Sequence, residues 1–115
     1  MAYSGSCHCG AVTFKVEGEL PSKAISCDCS HCRRKGFLWS FLPARQFELT
    51  GGEDNLTEYR FNKRVLSHRF CKDCGCQAFA EGEQDGEPTR AVNLRCVPDC
   101  DLDALEIQKV EGSSF

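Results

Sequence analysis

The sequence predicts a mainly β fold, and three observations support this prediction. Between residues 11 and 17, apolar and polar residues alternate, with Val12, Phe14 and Val16 on one face. Short runs rich in aromatic and β-branched residues recur along the rest of the chain, separated by turn-forming residues. No segment shows the 3.6-residue period of an amphipathic helix. A single domain covering residues 1–115 is expected, since a chain of this length forms one modest core.

The first half of the chain contains five predicted strands. They span residues 11–17, 24–26, 37–42, 47–50 and 56–61. The aromatic run before Pro43 is a candidate buried strand, and Pro43 itself suits the start of a helical turn over residues 43–46. Residues 51–55 contain two glycines and predict a hairpin-like loop between the last two of these strands.

The second half contains four more predicted strands, at residues 65–70, 77–81, 90–97 and 104–110. Residues 82–88 are acidic and contain glycine and proline, so they predict an exposed loop. Residues 99–103 predict a short helical turn. The whole chain is therefore expected to contain strands and short helical turns only.

The charge distribution is uneven. Residues 33–72 hold nine basic and four acidic side chains, whereas residues 73–115 hold three basic and ten acidic ones. Two interpretations are open: a solvated surface, or a basic middle segment that attracts a small anionic ligand. A chain with an isoelectric point of about 5.6 lacks the broad basic surface of a nucleic-acid-binding protein, so nucleic acid is not an expected partner.

The N-terminal sequence has none of the features of a secretory leader. Residues 1–6 offer no charged region, apolar region or cleavage site, and no later run approaches the roughly 18 apolar residues of a membrane span. We therefore expect a cytoplasmic protein without membrane contact. In a reducing compartment, clustered cysteines are more often metal ligands or catalytic groups than structural disulfides. We therefore expect the clustered cysteines among the ten in this chain to be metal ligands or catalytic groups.

Two cysteine pairs predict a closed zinc site. Cys7 and Cys9 are two residues apart, so in an extended backbone both thiols face the same side. Cys71 and Cys74 are followed by Gly75, the pattern of a zinc knuckle in which glycine permits a positive φ. Together the pairs supply four thiolates, which would connect the N-terminal segment to the second half of the domain.

A cysteine triplet predicts a second, open zinc site. Cys27, Cys29 and Cys32 place three thiols within six residues, and three cations follow at residues 33–35. Three protein ligands leave one coordination position for water or substrate. Two alternatives are open: His31 could be a fourth ligand, although the short loop would be strained, or the triplet could cycle through a disulfide.

The other cysteines and histidines give weaker predictions. Cys76 and Cys96 are interpreted as small buried hydrophobic residues, and Cys100 receives no role. His68, three residues before Cys71, is interpreted as a hydrogen-bonded structural residue or as a proton shuttle.

Four motifs resemble those of the glutathione-dependent formaldehyde-activating enzyme family. They are Cys7-His8-Cys9-Gly10, Cys27-x-Cys29-x-x-Cys32-Arg33-Arg34, Phe70-Cys71-x-x-Cys74-Gly75 and Val92-Asn93-Leu94-Arg95-Cys96. Within the family, residues 33–38, 57–62 and 68–75 are most similar to the branch that includes centromere protein V. The resemblance implies two small antiparallel β-sheets stacked around zinc.

The resemblance also implies two zinc ions and an activity. A structural zinc would be bound by Cys7, Cys9, Cys71 and Cys74, and a catalytic zinc by Cys27, Cys29 and Cys32. Arg33 and Arg34 would hold the carboxylates of the partner, glutathione or a similar small thiol. The implied reaction is the reversible addition of glutathione to formaldehyde, which gives S-hydroxymethylglutathione and makes the protein a carbon–sulfur lyase. The alternative is a non-catalytic zinc-binding interaction module of the centromere protein V type.

Overall fold

A computed structural model of the chain describes residues 1–27, 34–59, 67–84 and 86–110. Within these ranges the chain forms ten β-strands in two sheets, with 3-10 helices of three residues each between some of them. The mainly β prediction is confirmed. Across the described ranges, the longest helices fall far short of the length and apolar character that a membrane-crossing helix requires.

The smaller sheet has three antiparallel strands in the order β1-β2-β5. Its strands are β1 (Ala2–Ser6), β2 (Thr13–Glu17) and β5 (Phe47–Gly51). The predicted alternation is present in β2, where Phe14 and Val16 are buried and their neighbours are not. Strand β1 was not predicted, because among its small polar residues only Tyr3 carries a large apolar side chain.

The larger sheet has seven strands in the order β10-β3-β4-β9-β8-β7-β6. Its strands are β3 (Lys23–Cys27), β4 (Trp39–Pro43), β6 (Leu56–Tyr59), β7 (Ser67–Cys71), β8 (Phe79–Gln84), β9 (Glu87–Asn93) and β10 (Glu106–Val110). All neighbouring strands are antiparallel except β3 and β10, which pair in parallel.

The core lies between the two sheets. Phe47 of the small sheet stacks on Phe14 at 5.4 Å between ring centroids and contacts Phe79 of the large sheet at 4.8 Å. Such ring contacts add stabilisation beyond the apolar area that they bury. Val92 and Leu94 are fully buried in the same cluster. These aromatic and aliphatic contacts hold the two sheets together.

The hairpin-like loop predicted at residues 51–55 was wrong. Strand β5 belongs to the small sheet and β6 to the large one, so the segment carries the chain from one sheet to the other. Gly52 adopts a left-handed conformation with φ of 87°, and a 3-10 helix over Glu53–Asn55 follows. Turn-forming residues show where the chain changes direction, but they do not show which sheet the next strand joins.

The exposed loop predicted at residues 82–88 was also wrong. Strands β8 and β9 extend into this segment from its two sides, and Glu83 pairs with Pro88 and Gln84 with Glu87. The hydrophilic sequence reflects an exposed hairpin end, not a loop. Conversely, the strand predicted to reach Val97 ends at Asn93, and a 3-10 helix over Leu94–Cys96 follows.

Replacing Gly52 by alanine is expected to destabilise the protein by about 3 kcal/mol or more. The left-handed backbone is strained for alanine, and its Cβ would lie 2.7 Å from the Cα atom of Val12. Chemical denaturation measures the effect. Gly86→Ala is the matched control, since Gly86 has a φ of 82° but no atom within 4 Å of the added Cβ, so only about 1 kcal/mol should be lost. Equal destabilisation by both substitutions would contradict the role of the close approach.

Candidate metal centre

Four cysteines from two distant parts of the chain converge in the structure. The Sγ atoms of Cys7, Cys9, Cys71 and Cys74 all lie within 4.8 Å of one another. The Cys9 sulfur is 3.6 Å from that of Cys7 and 3.6 Å from that of Cys71. Tetrahedral zinc with bonds of about 2.3 Å separates its sulfur ligands by about 3.8 Å. The group can therefore hold a metal ion with little rearrangement.

The segment around the first pair is a turn, so the extended conformation predicted for Cys7 and Cys9 was wrong. The amide of Gly10 donates to the Cys7 carbonyl at 3.2 Å, and the amide of Cys7 donates to the Val12 carbonyl at 3.0 Å. Gly10 has a φ of 82°, which favours glycine. The turn brings both thiols to the same side, as an extended segment would also have done.

The second pair forms the expected knuckle at the end of β7. The amide of Gly75 donates to the Cys71 carbonyl at 2.8 Å, and the amide of Cys71 donates to the Cys76 carbonyl at 3.0 Å. Gly75 has a φ of 74°, as predicted for the glycine of a zinc knuckle. The knuckle places Cys71, which is fully buried, and Cys74, which is half-buried, beside the first pair.

Hydrogen-bond donors surround the sulfur atoms. The amide of Val12 donates to Cys7 Sγ at 3.3 Å, and Asn55 Nδ2 donates to Cys71 Sγ at 3.2 Å. Asn55 also donates to Asp73 Oδ2 at 3.0 Å, which fixes the orientation of its amide. N–H groups directed at sulfur stabilise thiolates, the form in which cysteine binds a metal.

The thiols of Cys9, Cys71 and Cys74 ionise unequally without a metal. The amides of Cys9 and Cys76 lower the pKa of Cys74 to about 6, and the amide of Cys74 is the main cause of a lowered pKa at Cys71. For Cys9, the Ala11 amide lowers the pKa, but the neighbouring thiols outweigh it and raise the value to about 12. Since every ligand must be a thiolate, metal binding displaces a proton from Cys9 and weakens as the pH falls.

Asn55→Ala is expected to weaken metal binding about 10- to 100-fold, because it removes the side-chain donor to Cys71 while leaving all four thiols in place. Competition with a chromophoric chelator measures the affinity. Asp54→Ala is the control, since Asp54 is an exposed residue of the same 3-10 helix. An Asn55→Ala affinity equal to that of Asp54→Ala would show that this hydrogen bond does not support the site.

The structure describes only part of the predicted triplet. Cys27 ends β3 and is half-buried, whereas Cys29, Cys32 and Arg33 lie outside the described residues. Cys27 does not belong to the four-cysteine group. Arg34 is described and is exposed. The predicted three-cysteine zinc site and its glutathione contacts therefore stay predictions.

Cys27 packs beside an aromatic cluster on the large sheet. The buried members of this cluster are Phe37, Trp39, Ala80 and Ala91. The rings of Phe37 and Trp39 lie 4.2 Å apart between centroids. The apolar surroundings of Cys27 contrast with the exposed surface around Cys9.

His68 adjoins this aromatic cluster. It is buried, and its ring lies 6.2 Å from that of Phe37 and 6.4 Å from that of Trp39. The Gln77 side-chain amide lies 2.8 Å from His68 Nδ1 and also donates to the Phe79 carbonyl at 3.3 Å, so Nδ1 acts as the acceptor. A hydrogen-bonded structural histidine, one of the two interpretations of His68, agrees with this geometry.

A polar groove of about 390 Å³ lies over strands β7, β8 and β9. Its two arginines, Arg69 and Arg90, both pair with Glu81, at 2.9 Å and 3.0 Å. Its lining includes no cysteine of the described ranges. Arg69 also lies 3.5 Å from Glu58, so both cations are paired with carboxylates, and we do not assign this groove to the four-cysteine group or to its ligand.

Two further cysteines face each other outside the four-cysteine group. Cys76 Sγ and Cys96 Sγ are 3.5 Å apart. The prediction of burial is confirmed for Cys96, whereas Cys76 is only half-buried. Burial raises the pKa of Cys96, and the neighbouring Cys76 thiol raises it further. Cys100 is half-buried. Burial raises the pKa of its thiol, and the negative charge of Asp101 raises it further.

Two comparisons relate this chain to known proteins. The sequence profile of the family described as glutathione-dependent formaldehyde-activating enzyme matches residues 2–109. The crystal structure of a Rhodobacter sphaeroides protein is similar to this chain, with 32% sequence identity and a TM-score of 0.81. That match covers 93% of this chain and 99% of the other. The chain belongs to the glutathione-dependent formaldehyde-activating enzyme family.

Proposed function

We propose that the protein catalyses the reversible addition of the glutathione thiol to formaldehyde, as a carbon–sulfur lyase of the S-hydroxymethylglutathione synthase type. The observation that carries this proposal is the family match over residues 2–109, which includes every cysteine of both predicted sites. The convergence of Cys7, Cys9, Cys71 and Cys74 supports it, because a closed thiolate group is suited to a structural metal.

Zinc is the proposed metal at both sites. Four thiolates suit a closed tetrahedral zinc that stabilises the fold, and the donors directed at Cys7 and Cys71 fit that ionised form. Cys27, Cys29 and Cys32 would hold a second zinc with an open position. When bound there, zinc supplies Lewis-acid chemistry, which polarises a carbonyl oxygen or favours a thiolate.

The chain's own residues bind and orient the substrates. The guanidinium groups of Arg33 and Arg34 would pair with the two carboxylates of glutathione, which directs its thiol toward the adjacent triplet. The aromatic cluster that packs against Cys27 excludes water from one side of the Cys27 thiol. Positioning the thiol near the aldehyde converts a bimolecular reaction into one between groups held together.

Exchange NMR of glutathione and formaldehyde tests the proposal, because it measures the rate of adduct formation at equilibrium. With metal-loaded protein we expect faster exchange that saturates with glutathione. A thiol without carboxylates, such as 2-mercaptoethanol, should show no acceleration. Exchange rates for both thiols equal to those without protein would reject the lyase and favour the alternative, a non-catalytic zinc-binding interaction module.

A further inference from the structure

We propose that Cys76 and Cys96 form a separate dithiol site that low-molecular-weight disulfides oxidise to a Cys76–Cys96 disulfide, leaving the four cysteines of the metal centre unchanged. The inference is independent of the proposed lyase activity, since it concerns thiols outside both predicted zinc sites.

The two sulfur atoms already face each other. Cys76 Sγ and Cys96 Sγ are 3.5 Å apart although 20 residues separate them in sequence. A disulfide bond of about 2.0 Å requires the sulfurs to approach by about 1.5 Å, which side-chain rotation can supply. The two segments that carry these cysteines are already joined by hydrogen bonds.

These hydrogen bonds converge on Asn93. Its amide donates to the Ala78 carbonyl at 2.9 Å, and its side-chain Nδ2 donates to the Gln77 carbonyl at 2.9 Å. Asn93 is buried, so both bonds are shielded from water. They hold the segment after Cys76 against the 3-10 helix that contains Cys96. The dithiol is therefore positioned by the backbone before any bond forms between the sulfurs.

The metal centre uses the backbone of Cys76 and not its thiol. The Cys76 carbonyl accepts the amide of Cys71 at 3.0 Å, and the Cys76 amide is directed at the Cys74 sulfur. Neither Cys76 nor Cys96 belongs to the four-cysteine group. A bond between their side chains would thus leave all four ligands and these two backbone contacts in place.

The difference in exposure sets the order of the chemistry. Cys76 is half-buried and reachable, whereas Cys96 is 8% exposed. The Cys76 thiolate attacks a small disulfide RSSR, forms a mixed disulfide and releases one RS⁻. Cys96 then gives its proton to solvent and attacks the Cys76 sulfur, which releases the second RS⁻. Two protein thiols are oxidised and RSSR is reduced to two RSH.

Peptide mapping after exposure to glutathione disulfide tests the proposal. The zinc-loaded full chain is equilibrated with glutathione disulfide, its remaining thiols are alkylated, and it is digested with trypsin. Cleavage after Lys72, Arg90 and Arg95 places Cys76 on peptide 73–90 and Cys96 on peptide 96–109. Peptide 73–90 also carries Cys74, so fragmentation of the linked pair identifies which cysteines are bonded. We expect a Cys76–Cys96 linked peptide pair, loss of two reactive thiols and unchanged zinc content.

Three variants sharpen the readout. Cys100→Ser removes the second cysteine of the Cys96 peptide and should still form the link. Oxidation of Cys96→Ser should stop at a mixed disulfide between Cys76 and glutathione. Cys76→Ser should form neither the mixed disulfide nor the linked peptide pair, and it provides a check if Cys96→Ser fails to fold. Absence of the linked pair in zinc-loaded wild type, or its appearance only as zinc is lost, would overturn the proposal.

Discussion

Replacing Cys71 by alanine is expected to prevent metal binding at the four-cysteine group and to abolish the cooperative unfolding transition of the protein. Cys71 has no exposed surface, and its sulfur lies 3.6 Å from Cys9 Sγ and receives a hydrogen bond from Asn55. Structural zinc sites have apparent binding free energies of about 10–16 kcal/mol, while ordinary domains are stable by only about 5–15 kcal/mol. A domain of this size is expected to depend on such a site.

Elemental analysis and differential scanning calorimetry measure the Cys71→Ala result. Cys100→Ala is the matched control, since Cys100 is half-buried in the same core and lies outside the four-cysteine group. The control should retain its metal and unfold within a few degrees of wild type, whereas Cys71→Ala should lose the transition. Equal metal content and equal unfolding midpoints in the two variants would contradict a structural metal at this site.

Replacing Cys29 by serine is expected to reduce the rate of glutathione adduct formation to that of the uncatalysed reaction while the fold persists. The triplet is predicted to hold the reactive zinc, and a serine hydroxyl does not replace a thiolate as a ligand at neutral pH. Removing the Lewis acid forfeits several kcal/mol of transition-state stabilisation, so a loss of at least about 100-fold is expected.

Exchange NMR and circular dichroism together measure the Cys29→Ser result. Ser26→Ala is the control, because it changes a side chain just before the triplet without removing a thiol. The zinc content of Cys29→Ser should fall from two ions to one. A wild-type rate in Cys29→Ser would show that the triplet is not the reactive site, and unfolding like that of Cys71→Ala would assign it a structural role.

The four-cysteine group was predictable because it depends on spacing more than on conformation. Cys7 and Cys9 converge through a turn and not through the extended segment that we predicted, yet both geometries place the thiols on one side. The knuckle at Cys71 and Cys74 is local in sequence, and Gly75 marks it directly. Short-range patterns with few geometric solutions are therefore informative about ligands.

Contacts between distant segments were not predictable. Asn55 lies 16 residues from Cys71, and Gln77 lies nine from His68, and no local pattern indicates either hydrogen bond. For the same reason, residues 51–55 were assigned to a hairpin, although they connect the two sheets. The alternation in β2 located a strand correctly, because burial of Phe14 and Val16 repeats every two residues.

An X-ray structure of the zinc-loaded protein soaked with glutathione, with anomalous data at the zinc edge, tests the central claim most directly. We predict two anomalous peaks, one among Cys7, Cys9, Cys71 and Cys74 and one held by Cys27, Cys29 and Cys32. The glutathione thiol should lie at the second peak, with its carboxylates near Arg33 and Arg34. A single peak in the four-cysteine group, with no glutathione at the triplet, would contradict the claim.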